Sequence, residues 1–371
     1  MKIGCPTELK NNENRVGLTP SSVHSYVAAG HEVFMEKGAG LGSAIPDEEY
    51  LKAGAKVLGS AAELWAIADM IVKVKEPLES EYAFMREGQL IYAYFHFAAD
   101  ERLTRACLER KISALAYETV QDGRALPLLK PMSEVAGRMS CLVGAFYLAR
   151  TQGGRGILPT GVTGVAPGEV LVLGAGVVGT NAAHVAAGIN ANVTVLDVNL
   201  SRLEYLDEIM PANVQALYNE PLVLEERIRR ADIIIGAVLL PGAKTPKLVR
   251  REHLKMMKPG AVIVDVAIDQ GGCFETSRPT THSDPVFELD GVIHYCVGNM
   301  PGAYARTSTY ALNNATIRYG LQLAAKGVEK ACRENEALKL GLNMYKGVIT
   351  HKGVAEAFGM ENLYKPVDSV L

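Results

Sequence analysis

The sequence has no excess of charge of either sign: 38 Lys and Arg against 41 Asp and Glu give a formal net charge of -3. Its basic residues are spread along the whole length, so no stripe is available to track a phosphate backbone, and nucleic acid is not an expected partner. Six cysteines (Cys5, Cys107, Cys141, Cys273, Cys296 and Cys332) occur without a CxxC pair, so neither a zinc ribbon nor a disulfide framework is spelled out. Reduced, mostly buried thiols are expected. The opening Met1-Lys2-Ile3-Gly4-Cys5-Pro6-Thr7-Glu8 lacks the apolar core of a secretory signal, which points to the cytoplasm. The most apolar stretch, Gly156 to Ile189, is interrupted by Glu169, Asn181 and His184, so no membrane span is expected. Low-complexity segments and repeats of solenoid length are also missing.

What is present is a globular composition, 48% apolar and 21% charged over 371 residues, long enough for two domains and hence a cleft. Short apolar runs recur at Lys2 to Cys5, Glu32 to Glu36, Met70 to Val74, Leu90 to Phe95 and Ser113 to Tyr117, separated by helix-like stretches. A second series runs through Val170 to Gly174, Val193 to Asp197, Ile233 to Gly236, Ala261 to Val266 and Val292 to Val297. Near-continuous apolar strands of this kind fit parallel sheets covered on both faces. Between the series, Val135, Met139, Leu142, Val143 and Phe146 recur at helical spacing behind Ser133 as a candidate N-cap, predicting a long helix from Ser133 to Arg150. A second long helix is predicted from Thr307 to Gly327, ending at a glycine. The fold class is therefore α/β: two Rossmann-like doubly wound domains joined by long connector helices, with a cleft between them and hinges where those helices begin.

One motif carries specific chemistry. Gly174-Ala175-Gly176-Val177-Val178-Gly179 directly follows the predicted strand Glu169 to Leu173 and directly precedes a helix-forming run from Asn181. In that context Gly174 permits the tight turn, Gly176 lets the backbone approach a pyrophosphate, and Gly179 lets helix and strand pack closely. The helix N-terminus then offers free N–H groups to phosphate. Asp197 closes the next strand, 18 residues beyond Gly179, where a carboxylate accepts from the adenosine ribose and repels a 2′-phosphate. NAD is favoured over NADP; Arg202, just beyond, either softens that preference or suits the adenine side of the pocket. The domains are then a discontinuous substrate and catalytic domain, 1–128 with 306–371, and an NAD-binding domain, 129–305.

Candidates for the chemistry lie at strand ends, where open α/β sheets bind ligands. Lys75 follows Met70 to Val74, and its bland alternative is a solvated lysine. His96 ends Leu90 to Phe95 between two phenylalanines, where a structural role competes with a catalytic one. Arg15 sits in the polar loop after the first strand, with a surface arginine as its alternative. Asp269 follows the strand Ala261 to Ile268 and precedes Gln270-Gly271-Gly272, whereas Asp265 lies inside that strand and reads as structural. No one of Arg15, Lys75, His96 and Asp269 is specific alone; together they occupy one rim.

These residues belong to longer matches. Gly4-Cys5-Pro6-Thr7-Glu8-Leu9-Lys10, Arg15-Val16-Gly17-Leu18-Thr19-Pro20, Val74-Lys75-Glu76-Pro77, Tyr94-Phe95-His96-Phe97, Pro131 to Gly137, the glycine turn, Val266 to Gly272 and Val297 to Gly302 resemble the alanine dehydrogenase family. That family also includes the NAD-binding subunit of proton-translocating nicotinamide nucleotide transhydrogenase. The resemblance implies reversible oxidative deamination of L-alanine to pyruvate and ammonium. It gives Arg15 and Lys75 to the substrate carboxylate and carbonyl oxygen, His96 to general acid/base work, and Asp269 to the carbinolamine or imine stage. Cofactor contacts are implied for Ser133, Val177, Val178, Asp197, Arg202, Asn219, Val238, Leu239, Ile268, Arg278, Val297, Asn299 and Met300, Asn219 in surroundings that depart from the family pattern. Gln322 and Lys326 stand where some members place an acid and a histidine for a divalent ion, so no metal is expected. A homohexamer is implied as well. The transhydrogenase subunit is the rival reading; the chain's end at Leu371 without a hydrophobic extension and the pairing of Lys75 with His96 speak against it. A non-enzymatic NAD-sensing module is a rival of another class, which would lack the converging Arg, Lys and His.

Overall fold

A computed structural model describes residues 1–238 and 245–371. In chain order its strands are β1 (Lys2–Cys5), β2 (Glu32–Glu36), β3 (Lys56–Leu58), β4 (Met70–Val72), β5 (Leu90–Ala93), β6 (Ser113–Ala116), β7 (Glu169–Leu173) and β8 (Asn192–Asp197). They continue with β9 (Val214–Tyr218), β10 (Ile233–Gly236), β11 (Val262–Asp265), β12 (Val286–Leu289), β13 (Val292–Tyr295), β14 (Leu342–Tyr345) and β15 (Val348–Ile349). The chain divides into two compact units, Met1–Met132 with Gly302–Leu371, and Ser133–Pro301.

The first unit is built on one sheet in the order β15-β14-β6-β5-β4-β1-β2-β3. β1 to β6 pair in parallel, and β14 and β15 add an antiparallel edge. Alternate residues feed two separate cores: Val33, Met35, Met70, Val72, Leu90 and Tyr92 join one, and Phe34, Ile71, Ile91 and Ala93 the other. Both faces are thus dry, which is why the strands read as continuous apolar runs. The order reverses at β1, whose neighbours are β4 and β2. In open α/β sheets such a switch point opens a crevice at the strands' carboxyl ends.

The second unit repeats the logic in the order β12-β13-β11-β10-β7-β8-β9, parallel except for β12. Val170, Val172, Ile233 and Ile235 pack on one side of this sheet, and Leu171, Leu173, Ile234 and Ile263 on the other. Its switch point lies at β7, between β10 and β8.

Four details differ from the sequence reading. Ser133 does not cap its helix, which begins at Lys130 and runs to Tyr147, so Ser133 is its fourth residue. Several strands stop one or two residues early, because their last predicted residues already belong to the loops that follow them. Strands β3, β9, β12, β14 and β15 were not anticipated; β9 is a half-exposed edge, and β12 closes an antiparallel hairpin through Asp290 and Gly291, both at positive φ. The late helix spans Ala305–Glu334 but is broken at Gly327 (φ 74°, ψ 165°), a conformation open to glycine and strained for other residues. All six cysteines are buried free thiols. Among the described residues no helix is long and apolar enough to cross a membrane.

Candidate active site

In the second unit the turn after β7 is shaped by its glycines. Gly174 has φ 104°, and a Cβ on Gly179 would stand 1.8 Å from the Gly174 carbonyl oxygen, so that position must lack a side chain. Gly176 is different in kind: a Cβ there would meet no protein atom within 4 Å. Its absence of a side chain therefore serves no packing need inside the unit. Gly176 is the N-cap of the helix Val177–Gly188, and it supplies no side-chain hydrogen bond to that helix's first turn. The Asp197 carboxylate, at the end of β8, accepts from the Ala175 N–H at 2.6 Å and from the Asn199 N–H at 2.8 Å, which fixes it beside the turn. Arg202 holds the same turn from outside, with Nε donating to the Ala175 carbonyl at 2.9 Å and Nη2 to Thr180 Oγ1 at 3.1 Å.

Several of the other cofactor candidates follow strands of the same sheet. Val238 follows β10, and its Cγ2 approaches the Gly174 position. Asn219 follows β9 and donates its N–H to the Asp197 carbonyl at 3.0 Å. Ile268, Val297 and Met300 are buried. Asn299 has φ 59° and donates its N–H to Asp269 Oδ2 at 3.4 Å. Asp269 is exposed in the short turn Ile268–Gln270. Arg278 is exposed and lies over the Phe287 ring at 4.3 Å, away from the glycine turn in its recorded contacts. Ser133 is half-buried on its helix. Leu239 lies outside the described residues.

In the first unit the switch point gathers charge. Arg15 is 2% exposed, not the surface arginine of the bland reading. Its Nε and Nη2 grip both oxygens of Glu13 at 2.6 and 2.5 Å, and Nη1 donates to Met132 Sδ at 3.0 Å. Burial works against the Arg15 cation, but the Glu13 bonds outweigh it and hold the guanidinium firmly charged. Lys75, half-buried, follows β4 at the same rim. The two segments are locked together at Gly17, where a Cβ would meet the Val72 carbonyl oxygen at 2.5 Å. His96, just past β5, is exposed and sits at φ 51°, an uncommon conformation for a non-glycine residue. Its ring lies parallel to that of Tyr94, with centroids 6.1 Å apart.

Sequence comparison supplies what geometry alone does not. Residues 4–136 match the model for the alanine dehydrogenase/PNT N-terminal domain, and residues 140–352 that for the C-terminal domain. The chain belongs to the alanine dehydrogenase/PNT family. An alanine dehydrogenase from Methanococcus maripaludis is 54% identical, with all of both chains covered, and so is alanine dehydrogenase 2 from Staphylococcus aureus. A solved L-alanine dehydrogenase matches with a TM-score of 0.94 and 49% identity, covering 97% of this chain and 99% of that one. A transhydrogenase from Sinorhizobium meliloti follows at 0.83 and 28%, covering 94% and 100%.

The sequence reading named the cations but not most of the acids around them. Glu118 accepts from the Phe95 N–H at 3.1 Å and from the His96 N–H at 2.6 Å, which secures the strained backbone at His96. Glu8 accepts from the Val74 N–H at 2.6 Å and the Lys75 N–H at 3.4 Å. Behind them Lys73 is fully buried, 3.0 Å from Glu81 and 3.4 Å from Glu8. Burial pushes the Glu8 carboxyl up to about 7 although Lys73 pulls the other way. Asp265, read as structural, is buried and accepts from the N–H groups of Ala267 and Cys273 and from Ser277 Oγ, tying both ends of the turn that carries Asp269. Glu8 and Glu118 pair across long sequence separations, 66 residues to Val74 and 22 to His96. Glu8 alone stood in a quoted motif, with nothing local to mark its partner.

Proposed function

We propose that the chain catalyses the reversible NAD-dependent oxidative deamination of L-alanine to pyruvate and ammonium. The observation that carries this reading is the gathering of Arg15 and Lys75 at the switch point of the first unit, with His96 on the adjacent strand end, in a chain 54% identical over its full length to alanine dehydrogenases. The transhydrogenase reading is weaker, at 28% identity.

The residues of the second unit fit a dinucleotide. The open space over Gly176, the first helical turn beside it and the fixed Asp197 carboxylate suit a pyrophosphate and a ribose without a 2′-phosphate. When bound, NAD supplies the hydride acceptor. Arg202 acts on the shape of the turn, and the remaining contacts fall to Ser133, Val177, Val178, Asn219, Val238, Leu239, Ile268, Arg278, Val297, Asn299 and Met300.

The first unit, 1–132 with 302–371, then holds the substrate. Arg15 is held in a fixed orientation for a substrate carboxylate by Glu13, which grips Nε and Nη2, and by Met132 Sδ at Nη1. That pair is electrically neutral, so a substrate carboxylate depends on Lys75 for a further positive charge. His96 exchanges a proton with the substrate-derived oxygen or nitrogen, in the pH range where imidazole serves both directions. Asp269 assists at the carbinolamine or imine stage. The same reading carries a homohexamer in the cytoplasm, which light scattering on purified protein and cell fractionation check. The activity is tested by NADH formation with a panel of amino acids, beside NADH oxidation with pyruvate in the presence and absence of ammonium. Turnover confined to L-alanine in one direction, and to pyruvate with ammonium in the other, is the expected result; no turnover in either overturns the reading.

A further inference from the structure

We propose that Glu8 is the positioning residue for Lys75, setting the place of its ammonium through the backbone of the strand end that carries it; the inference rests on the substrate role proposed above for Lys75. β1 and β4 are neighbours at the switch point, with Ile3 opposite Met70 and Gly4 opposite Ile71. Gly4 and Ile71 are the last residues paired between the two strands among the described residues, and the chain after β1 leaves the ladder. Glu8 replaces the missing strand. Its Oε1 accepts from the Val74 N–H at 2.6 Å and its Oε2 faces the Lys75 N–H at 3.4 Å, while the Val74 carbonyl continues the ladder on the other side by accepting from Tyr94 at 3.1 Å.

The carboxylate is itself held. It is 8% exposed, and Lys73, one residue before Val74, stands 3.4 Å from Oε2 with Glu81 on its far side at 3.0 Å. Glu81 provides the contrast that separates positioning from mere stability. It shares Lys73 with Glu8, yet its second oxygen accepts from the Leu78 N–H at 2.9 Å and not from the end of β4. Both acids belong to one buried ion cluster; only Glu8 touches the backbone of Lys75. A side chain on a four-carbon stem whose root shifts by a few tenths of an ångström loses its best place for a small acid, because nothing in so small a substrate can follow it.

The experiment compares Glu8→Gln with Glu81→Gln in the full-length protein, after wild-type turnover of pyruvate with ammonium has been established. Glu8→Gln is expected to raise KM for pyruvate about tenfold while kcat changes less than threefold and NADH binds as in the wild type. Folded Glu81→Gln is expected to keep KM within twofold. A pyruvate KM unmoved in Glu8→Gln, or raised equally in both variants, overturns the inference and leaves the activity standing; absence of wild-type turnover removes the activity itself. Should Glu8→Gln not fold, amide exchange on the wild type decides: slow exchange at Val74 and Lys75 supports the clamp, and exchange at the rate of free peptide refutes it.

Discussion

Gly176→Ala isolates the cofactor site from the stability of its unit. At φ -72° and ψ -165° the backbone suits alanine, and the new Cβ meets no protein atom within 4 Å. The folded state is therefore unstrained, and reduced freedom of the unfolded chain should stabilise by about 0.4 to 1 kcal/mol. The methyl group would, however, occupy the space through which a pyrophosphate approaches the helix N-terminus. Losing one or two charge-assisted hydrogen bonds, each worth about 1.5 to 3 kcal/mol, weakens NADH binding by roughly tenfold to a hundredfold or more. Gly179→Ala must behave oppositely at the level of folding, since its Cβ would collide with the Gly174 carbonyl at 1.8 Å; overpacking of this sort costs about 1 to 3 kcal/mol. Thermal unfolding without cofactor and fluorescence titration with NADH separate the two. A Gly176→Ala protein that binds NADH as tightly as the wild type would refute the cradle.

His96→Gln should keep the fold and NADH affinity while turnover of L-alanine falls by about a hundred- to ten-thousandfold; steady-state rates within a few-fold of wild type return His96 to a structural role. Asp197→Ala should narrow the preference for NAD over NADP at least about tenfold, because two unit charges 4 Å apart at an effective dielectric near 20 repel by about 4 kcal/mol; an unchanged ratio of kcat/KM values removes Asp197 from the selection. Glu8 titrates at about 7 in the folded chain against an ordinary 4.5, so the folded state holds its proton more tightly and loses stability as pH rises through that interval. Urea midpoints should therefore show Glu8→Gln gaining on the wild type as pH rises from 4.5 to about 7, and a constant difference across that window would contradict the raised titration.

The two units were unequally legible. In the second, each requirement is local: a glycine at φ 104° followed by an open one and then one pressed on a carbonyl is a turn that sequence spacing records directly. Asp197 was found for the same reason, lying at the end of the next strand. In the first unit the positions of Arg15, Lys75 and His96 could be read from strand ends, but their surroundings could not. Glu8 meets Val74 because β1 neighbours β4, and Glu118 meets His96 because β6 neighbours β5. That information resides in the topology and not in any window of residues. Ser133 failed as a cap because Lys130 and Pro131 already start the helix, Pro being well tolerated in a first turn. Edge strands such as β9, with exposed and half-buried residues mixed, gave no apolar run to detect.

The acids also explain how so much charge can be buried beside a substrate site. A lone arginine at 2% exposure would be costly, and its desolvation is offset only when geometry is good on every side. Glu13 meets that condition with two short bonds, and Lys73 is similarly enclosed by Glu8 and Glu81. Such pairs add little net stability over an apolar core of equal volume, so their use here is better sought in rigidity. A guanidinium gripped by Glu13 and Met132 has a fixed orientation, and a strand end clamped by a carboxylate gives the following lysine a fixed root. On the substrate roles proposed for Arg15 and Lys75, a substrate with a single carboxylate and a methyl side chain offers few contacts of its own, so its cations would have to be in place before it arrives, and the buried acids would keep them there.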